Sequence, residues 1–179
     1  PFFHRGGRDV FRASGRIIRE VSPTLDLAGA VALVSCVKSK LRQAAPAREL
    51  YSRSPWFRTA RKIVEANSVR WFILSAKHGL IAPDRVITPY DATLKDIGRA
   101  GRQGWAGRVL TDLLPALEGE RRVVIFAGRE YREFLIAPMR DARIAVDVPM
   151  AHLRQFEQKP WLAEQLRRME ARAALKSAL

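Results

Sequence analysis

VALVSCV, at residues 31–37, is a short apolar run with a single hydroxyl side chain. A run of this length without polar alternation is typical of a strand buried on both faces, as strands are in a parallel sheet. Similar runs recur at residues 71–75, 123–127 and 143–148, with helical patterns at 56–66, 105–117 and 130–135 and a last helix from about 161. This alternation predicts an α/β fold, a three-layer sandwich around a mainly parallel sheet of about four strands.

The chain has 179 residues, the size of one domain, which we assign to residues 23–179. Residues 1–22 are expected to form a basic appendage in which arginines recur every three or four positions, on one face of a helix. They are Arg5, Arg8, Arg12, Arg16 and Arg19. This face is either simply solvated or contacts phosphates, in which case Arg12 and Arg16 are the expected ligands.

The charge is strongly unbalanced, with 32 Lys and Arg against 18 Asp and Glu and a formal net charge of +14. Because such an excess repels itself, a polyanionic partner is favoured, and nucleic acid, expected as DNA, is the main prediction. A ribosome-associated protein, a membrane-surface protein or a generally basic proteome are the alternatives. No long apolar span competes with this interpretation, so no membrane partner is expected.

The cysteine content and the missing motifs exclude several classes of site. One cysteine, Cys36, allows neither an intramolecular disulfide nor a Cys-based zinc site and fits a reducing, cytoplasmic compartment. No secretory signal is found. No glycine-rich dinucleotide motif or P-loop is present, and no His, Asp or Glu spacing resembles a metal site. We therefore expect no nucleotide cofactor and no metal.

Polar and aromatic residues cluster after the predicted strands, at the edge where an open parallel sheet binds its ligands. They are Ser35, Cys36 and Lys40 after the first strand, Ser75, Lys77, His78, Tyr90 and Asp91 after the second, Gly128, Glu130 and Tyr131 after the third, and His152 and Arg154 after the fourth. Their convergence predicts a catalytic site.

Each of these residues also has a structural interpretation. A cysteine in an apolar strand, such as Cys36, is more often a core thiol than a nucleophile, and Lys40 can be a surface lysine. His78 can cap a turn, Asp91 can brace one, and Glu130 suits a helix start. Tyr90 is either a core aromatic or a platform on which a base stacks.

A stretch rich in glycine and arginine precedes the predicted helix at 105. Gly98, Gly101, Gly104 and Gly107 are interleaved with Arg99, Arg102 and Arg108. The stretch either brings the backbone close to phosphates or forms a flexible loop.

Several strings together resemble a bacterial and phage domain family of unknown function, over residues 30–166. They are SCVKSK at 35–40, PARELYS at 46–52, LSAKHGL at 74–80, PYD at 89–91 and AGREY at 127–131.

The spacing of Cys36 and Lys40, followed by Tyr51 and Ser54, is also similar to the core of archaeosine synthase, in which a lysine-bearing loop acts on a deazaguanine nitrile in tRNA. Here ten residues separate Lys40 from Tyr51, where the archaeal motif is nearly contiguous. That core in turn resembles the uracil-DNA glycosylase fold, and antiviral glycosylases that remove glucosylated cytosine from phage DNA belong near this group.

These resemblances imply a DNA glycosylase that flips and excises a modified base. Because glycosidic cleavage passes through an oxocarbenium-like sugar, the expected catalytic residues are Asp91 beside C1′ with Glu130 as second carboxylate, His78 or Lys77 against the departing base or a phosphate, and Lys40 as an alternative nucleophile. The expected base-binding residues are Ser35, Cys36, Tyr51, Ser54, Ser75, Tyr90, Gly128 and Tyr131, and the expected backbone ligands are Lys77, Arg12, Arg16, Arg99, Arg102, Arg129 and Arg154. Two alternatives stay open: base modification without excision through Lys40 and Cys36, and a non-catalytic nucleic-acid-binding module.

Overall fold

The computed structural model describes residues 25–67 and 69–177. Its strands are β1 (Val31–Ser35), β2 (Ala45–Pro46), β3 (Trp71–Ser75), β4 (Gly79–Ile81), β5 (Val86–Ile87), β6 (Arg122–Phe126) and β7 (Ala145–Asp147). Its helices are α1 (Ala47–Leu50), α2 (Pro55–Ala66), α3 (Arg99–Ala116), α4 (Arg129–Arg132), α5 (Ile136–Asp141) and α6 (Gln155–Ser177). The predicted appendage at 1–22, with Arg12 and Arg16, lies outside the described residues.

The central sheet has five strands in the order β4-β3-β1-β6-β7. Strand β1 pairs in parallel with β3 on one side and β6 on the other, β7 continues the parallel sheet, and β4 closes the far edge antiparallel to β3. A separate two-stranded antiparallel sheet joins β2 to β5. The predicted α/β fold with a mainly parallel sheet is confirmed.

The strands bury both of their faces, which explains their apolar sequences. In β1 Ala32 and Val34 face one core cluster, with α2 and α6, while Val31 and Leu33 face a second cluster, with α3 and α5. All four side chains are completely buried. Burying a Val or Leu side chain stabilises a fold by about 1.5–3 kcal/mol, so the central strand anchors both helical layers.

The central sheet has one strand more than predicted, because β4 was not recognised, and the short strands β2 and β5 of the second sheet were not predicted either. Gly79 pairs with Ser75 across a tight turn directly after the predicted strand at 71–75. Gly79 has a φ of +70°, a conformation that glycine adopts without strain. A strand of three residues is too short to show a sequence periodicity.

Several element boundaries also differ from the predicted ones. The predicted helix at 130–135 is replaced by the two short helices α4 and α5, and the last helix begins at Gln155 rather than near Trp161. The strand expected over 143–148 is reduced to β7, since Arg143 has a φ of +60° and lies in a turn.

The loop interpretation of the glycine- and arginine-rich stretch is wrong, because α3 runs through it. Trp105, Ala106 and Val109 bury one face of α3 in the core, and this packing outweighs the weak helix propensity of glycine. At Gly101 the helix passes so close to Ile97 that an added Cβ would lie 3.1 Å from the Ile97 Cβ.

Trp105 also ties α3 to the end of β3, since its indole Nε1–H donates a hydrogen bond of 2.9 Å to the Ser75 carbonyl in the buried interior. We expect Trp105→Phe to lower the free energy of unfolding, measured in urea, by about 1–3 kcal/mol because that carbonyl loses a buried donor. The matched control is Trp56→Phe, since the Trp56 N–H is buried without a hydrogen-bond partner in the part of the chain described. Equal losses in the two variants would contradict this role of Trp105.

Candidate functional site

The candidate site lies at the carboxyl ends of β1 and β3. Because these strands are parallel and in register, with Ser35 opposite Leu74, the residues that follow them meet at one edge of the sheet. Lys40 comes from the loop after β1, Ser75 is the last residue of β3, and Tyr90 follows β5. The sequence-predicted convergence at this edge is therefore realised for these three residues.

A chain of buried hydroxyl groups forms the floor of the site. The Tyr90 hydroxyl lies 2.7 Å from Ser75 Oγ and 2.8 Å from the Tyr51 hydroxyl, and Ser75 Oγ also accepts the backbone N–H of His78 at 3.0 Å. Ser75 and Tyr51 are fully buried. Burial raises the pKa of both tyrosines above the ordinary value, so both phenols stay protonated hydrogen-bond donors at neutral pH.

The Lys40 ammonium covers the Tyr90 ring. Its Nζ lies 4.4 Å from the ring centroid and 3.3 Å from the Lys38 carbonyl oxygen, to which it donates a hydrogen bond. Partial burial lowers the pKa of Lys40, and this effect is opposed by the attraction of Cys36 and Asp91. A cation over an aromatic face contributes about 0.5–1 kcal/mol at an exposed site and about 2 kcal/mol when desolvated, so for the partly buried Lys40 this contact is weak enough to be exchanged.

An open cleft of about 540 Å³ lies over this arrangement. It is lined by Lys38, Lys40, Leu41, Arg42, Pro89, Tyr90 and Asp91. The Asp91 side chain is exposed, and no ion pair holds it in the described part of the chain. The cleft therefore combines an aromatic ring, three cations and one available carboxylate.

A second group of contacts positions the loop that carries Asp91. The Tyr131 hydroxyl lies 3.3 Å from Cys36 Sγ, and the same sulfur accepts the N–H of Ala76 at 3.4 Å. Burial raises the pKa of Tyr131, while hydrogen bonds from Leu94 and Thr93 lower it. Tyr131 thus connects the ends of β1 and β3 to the loop that begins at Asp91.

His78 stands beside the tyrosine floor. Its ring meets Tyr90 edge-on, with centroids 5.3 Å apart and planes at 88°. Its Nε2 is buried without a hydrogen-bond partner within the described residues. Burial, and then the positive charges of Lys77 and Arg85, lower the pKa of His78. The imidazole is therefore neutral at pH 7.

Most of the predicted base-binding and catalytic residues lie together at this edge of the sheet, and the exceptions have other positions or roles. Ser54 instead caps α2, where its Oγ accepts the N–H of Phe57 at 3.3 Å. Ser35 is buried at the end of β1, and Gly128 is the N-cap of α4. Glu130 follows Gly128 in the first turn of α4 and is not one of the residues that line the cleft.

The predicted backbone ligands are divided in the same way. Lys77 belongs to the site, with Nζ 5.8 Å from the Tyr90 ring. Arg102 is instead held in a largely buried ion pair of 2.6 Å with Glu133, to which Arg129 adds a longer contact. Arg99 lies over the Phe134 ring. Arg154 and His152 are exposed near the start of α6.

Three contributors to the site were not recognised in the sequence. Lys38 and Arg42 line the cleft on either side of Lys40, and their spacing of two residues from it was the available signal. Trp105 meets Tyr131 edge-on at 5.7 Å. The helical sequence pattern around Trp105 carries no signal for a contact with Tyr131.

Comparison with known proteins gives one match. A family described only as being of unknown function, DUF6884, matches residues 31–164. The chain belongs to the DUF6884 family. The predicted membership of a domain family of unknown function is confirmed, and the match spans every element from β1 into α6, including the cleft. No curated protein and no solved structure matches the chain.

Two further observations on this DUF6884 domain concern metal binding and membrane-spanning helices. In the described range no cluster of three or more His, Cys, Asp or Glu side chains is arranged to hold a metal ion. None of its described helices has the length and apolar character needed to cross a bilayer.

The hydroxyl chain predicts a stability effect. In Ser75→Ala the Tyr90 hydroxyl and the His78 N–H lose their shared partner in a buried place, so we expect the free energy of unfolding to fall by about 1–3 kcal/mol. Ser35→Ala is the control, since Ser35 ends the neighbouring strand and its hydroxyl makes no hydrogen bond within residues 25–67 and 69–177. If Ser35→Ala lowered the free energy of unfolding as much as Ser75→Ala, the hydrogen bonds of the hydroxyl chain would not contribute to stability as expected.

The surroundings of His78 predict a pH effect. Because its pKa is lowered from 6.5 in the folded protein, the unfolded chain binds the proton more tightly, and stability rises with pH through the window between the two values. Protonation of His78 on acidification therefore weakens the fold. We expect the Cε1–H resonance of His78 to titrate below pH 6.5 in NMR spectra, with assignment by His78→Asn. A midpoint at or above 6.5 would overturn the described electrostatic setting.

Proposed function

We propose that this DUF6884 domain is a DNA glycosylase-like enzyme that takes a flipped, modified nucleobase into the Tyr90 cleft and hydrolyses its N-glycosidic bond. The observation that carries the proposal is the meeting of an aromatic ring, Lys40 and the exposed Asp91 carboxylate in one cleft at the sheet edge. The sequence resemblance to glycosylase-like proteins favours a glucosylated cytosine of phage DNA as substrate, and hence a cytoplasmic antiviral role.

The charge around the cleft supports a nucleic-acid ligand. Lys38, Arg42 and Lys77 surround it, and none of them has an acidic partner within ion-pair distance in the described part of the chain. Several arginines elsewhere are instead engaged by acidic residues, as in the pairs of Arg61 with Glu49 and Glu65. Unpaired cations beside a cleft attract phosphates, which contribute much of the affinity of DNA-binding proteins.

The form of the cleft supports an extrahelical base. An enzyme that acts on a base in a duplex must first rotate the base out of the stack, at an energetic cost of a few kcal/mol. A stacking contact with an aromatic ring offsets about 1–3 kcal/mol of this cost. The volume of about 540 Å³ leaves room for a base with a bulky substituent.

The proposed chemistry uses Asp91 and His78. As the bond from C1′ to the base nitrogen lengthens, its electron pair moves to the base and the sugar becomes oxocarbenium-like. The Asp91 carboxylate stabilises this cation and receives a proton from the water whose oxygen bonds to C1′. Lys77 or His78 stabilises the negative charge on the departing base. The proton taken up by Asp91 then passes to the departing base, which regenerates the carboxylate and leaves a free base and an abasic site.

A second candidate, base modification without excision, is favoured by one observation. Partial burial lowers the pKa of Lys40, which increases the fraction of free amine able to attack an electrophilic carbon. Products whose glycosidic bond is intact would distinguish this reaction from excision.

We expect Asp91→Asn to reduce base release by about 10²–10³-fold, because a carboxylate matched to the developing cation is lost, while DNA affinity changes only a few-fold. DNA carrying ordinary, hydroxymethylated and glucosylated cytosine is incubated with each protein, and released bases are identified by mass spectrometry. Asp84→Asn is the matched control, since Asp84 is exposed and is not one of the cleft-lining residues.

Two outcomes would contradict the proposal at different points. Wild-type release in Asp91→Asn would remove Asp91 from its role. No release by the wild-type protein from any substrate, with DNA binding that weakens steeply with salt as phosphate contacts require, would leave a non-catalytic binding module.

A further inference from the structure

The orientation of the Tyr90 ring is fixed by three contacts. Its hydroxyl is hydrogen-bonded to Ser75 at 2.7 Å and to Tyr51 at 2.8 Å, and the ring of His78 stands against it edge-on. Since Ser75 and Tyr51 are fully buried, moving the Tyr90 side chain out of this place would break hydrogen bonds that water cannot replace. Tyr90 is therefore an immobile surface in the cleft.

The Lys40 ammonium that covers this surface is, by contrast, loosely held. Among the described residues its single hydrogen bond is the one to the Lys38 carbonyl at 3.3 Å, and no carboxylate lies within 4.0 Å of Nζ. The side chain is a four-carbon stem with freely rotating bonds. The ammonium can leave the ring while the backbone stays in place.

We propose that the Lys40 ammonium is a displaceable occupant of the Tyr90 face, which a nucleobase replaces on binding while the ammonium moves to a phosphate of the same strand. The inference rests on the proposed function only in that a base enters this cleft, and it holds whether or not the base is then excised.

The Lys40 ammonium and a nucleobase cannot occupy this face of Tyr90 at the same time, for a steric reason. Stacked carbon atoms approach to about 3.5–4.0 Å, and Nζ stands 4.4 Å from the ring centroid. A base stacked on this face would thus occupy the place of the ammonium. The strand that delivers the base also delivers phosphates, and a charged hydrogen bond to a phosphate is stronger than one to a neutral carbonyl.

This exchange makes entry of the base depend on the rest of the strand. A base without phosphates would have to displace the ammonium and leave it with no better partner. A strand without a base would offer a phosphate to the Lys40 ammonium, but no base would replace the ammonium on the Tyr90 ring. Lys40 would therefore select a base that arrives attached to its backbone.

Lys40 can be observed directly in protein labelled with ¹³C-lysine. The ring current of Tyr90 should shift the Lys40 ε-methylene signal upfield of the other lysines, with assignment by Lys40→Arg and loss of the shift in Tyr90→Leu. Single strands of about ten nucleotides are then added, carrying at their centre cytosine, hydroxymethylcytosine, its glucosylated form or a tetrahydrofuran abasic analogue, and binding is followed by fluorescence anisotropy.

We expect the upfield shift to disappear with a base-bearing strand that binds and to persist with the abasic strand. Binding of base-bearing strands without movement of the signal, or an equal movement with the abasic strand, overturns this inference alone. Absence of binding by every strand overturns the proposed function as well.

A pair of variants gives an independent readout. In Lys40→Ala the base still stacks on the ring, but no ammonium moves to a phosphate in exchange, so the ratio of affinities for the base-bearing and abasic strands should fall several-fold. Lys38→Ala removes the same charge from the same cleft without touching the ring, so its ratio should equal that of the wild type. An unchanged ratio in Lys40→Ala contradicts the exchange.

Discussion

The parallel pairing of β1 with β3 and β6 is the constraint on which the rest of the structure depends. It buries the central strand on both faces, so helices must cover each side of the sheet. It also brings the carboxyl ends of β1 and β3 to one edge of the sheet, in register. The loops that carry Lys40 and Asp91 meet there, and without this pairing the residues of the cleft would have no common location.

Ser75 connects this framework to the site. Its carbonyl accepts the Trp105 indole from α3, while its hydroxyl lies between Tyr90 and the His78 backbone N–H. A single residue at a strand end thus links a core helix to the floor of the cleft. Since Ser75 and Trp105 are buried and Tyr90 and His78 are partly buried, the network gains its full stability only when every partner is in place. This makes the position of Tyr90 a property of the core rather than of its loop.

The basic character of the chain is distributed unevenly. Five of its 32 Lys and Arg precede residue 25, and several of the others, such as Arg61, Arg102 and Arg122, are held by acidic partners that join elements of the fold. The cations at the cleft have no such partners among the described residues. Unpaired cations thus lie beside the aromatic ring and the Asp91 carboxylate, an arrangement that suits a polyanionic ligand.

The sequence by itself determined the α/β class, the main strands and the edge where Cys36, Ser75 and Lys40 gather, because strands buried on both faces require apolar runs and their ends can be located from those runs. Only the tertiary structure decided that Tyr51 meets Tyr90, that Ser54 caps a helix, and that the glycine-rich stretch is helical. These outcomes depend on contacts between residues far apart in the chain, such as the 95 positions that separate Cys36 from Tyr131. Local propensity carries no information about such contacts, because they form only after the loops have folded back onto the sheet.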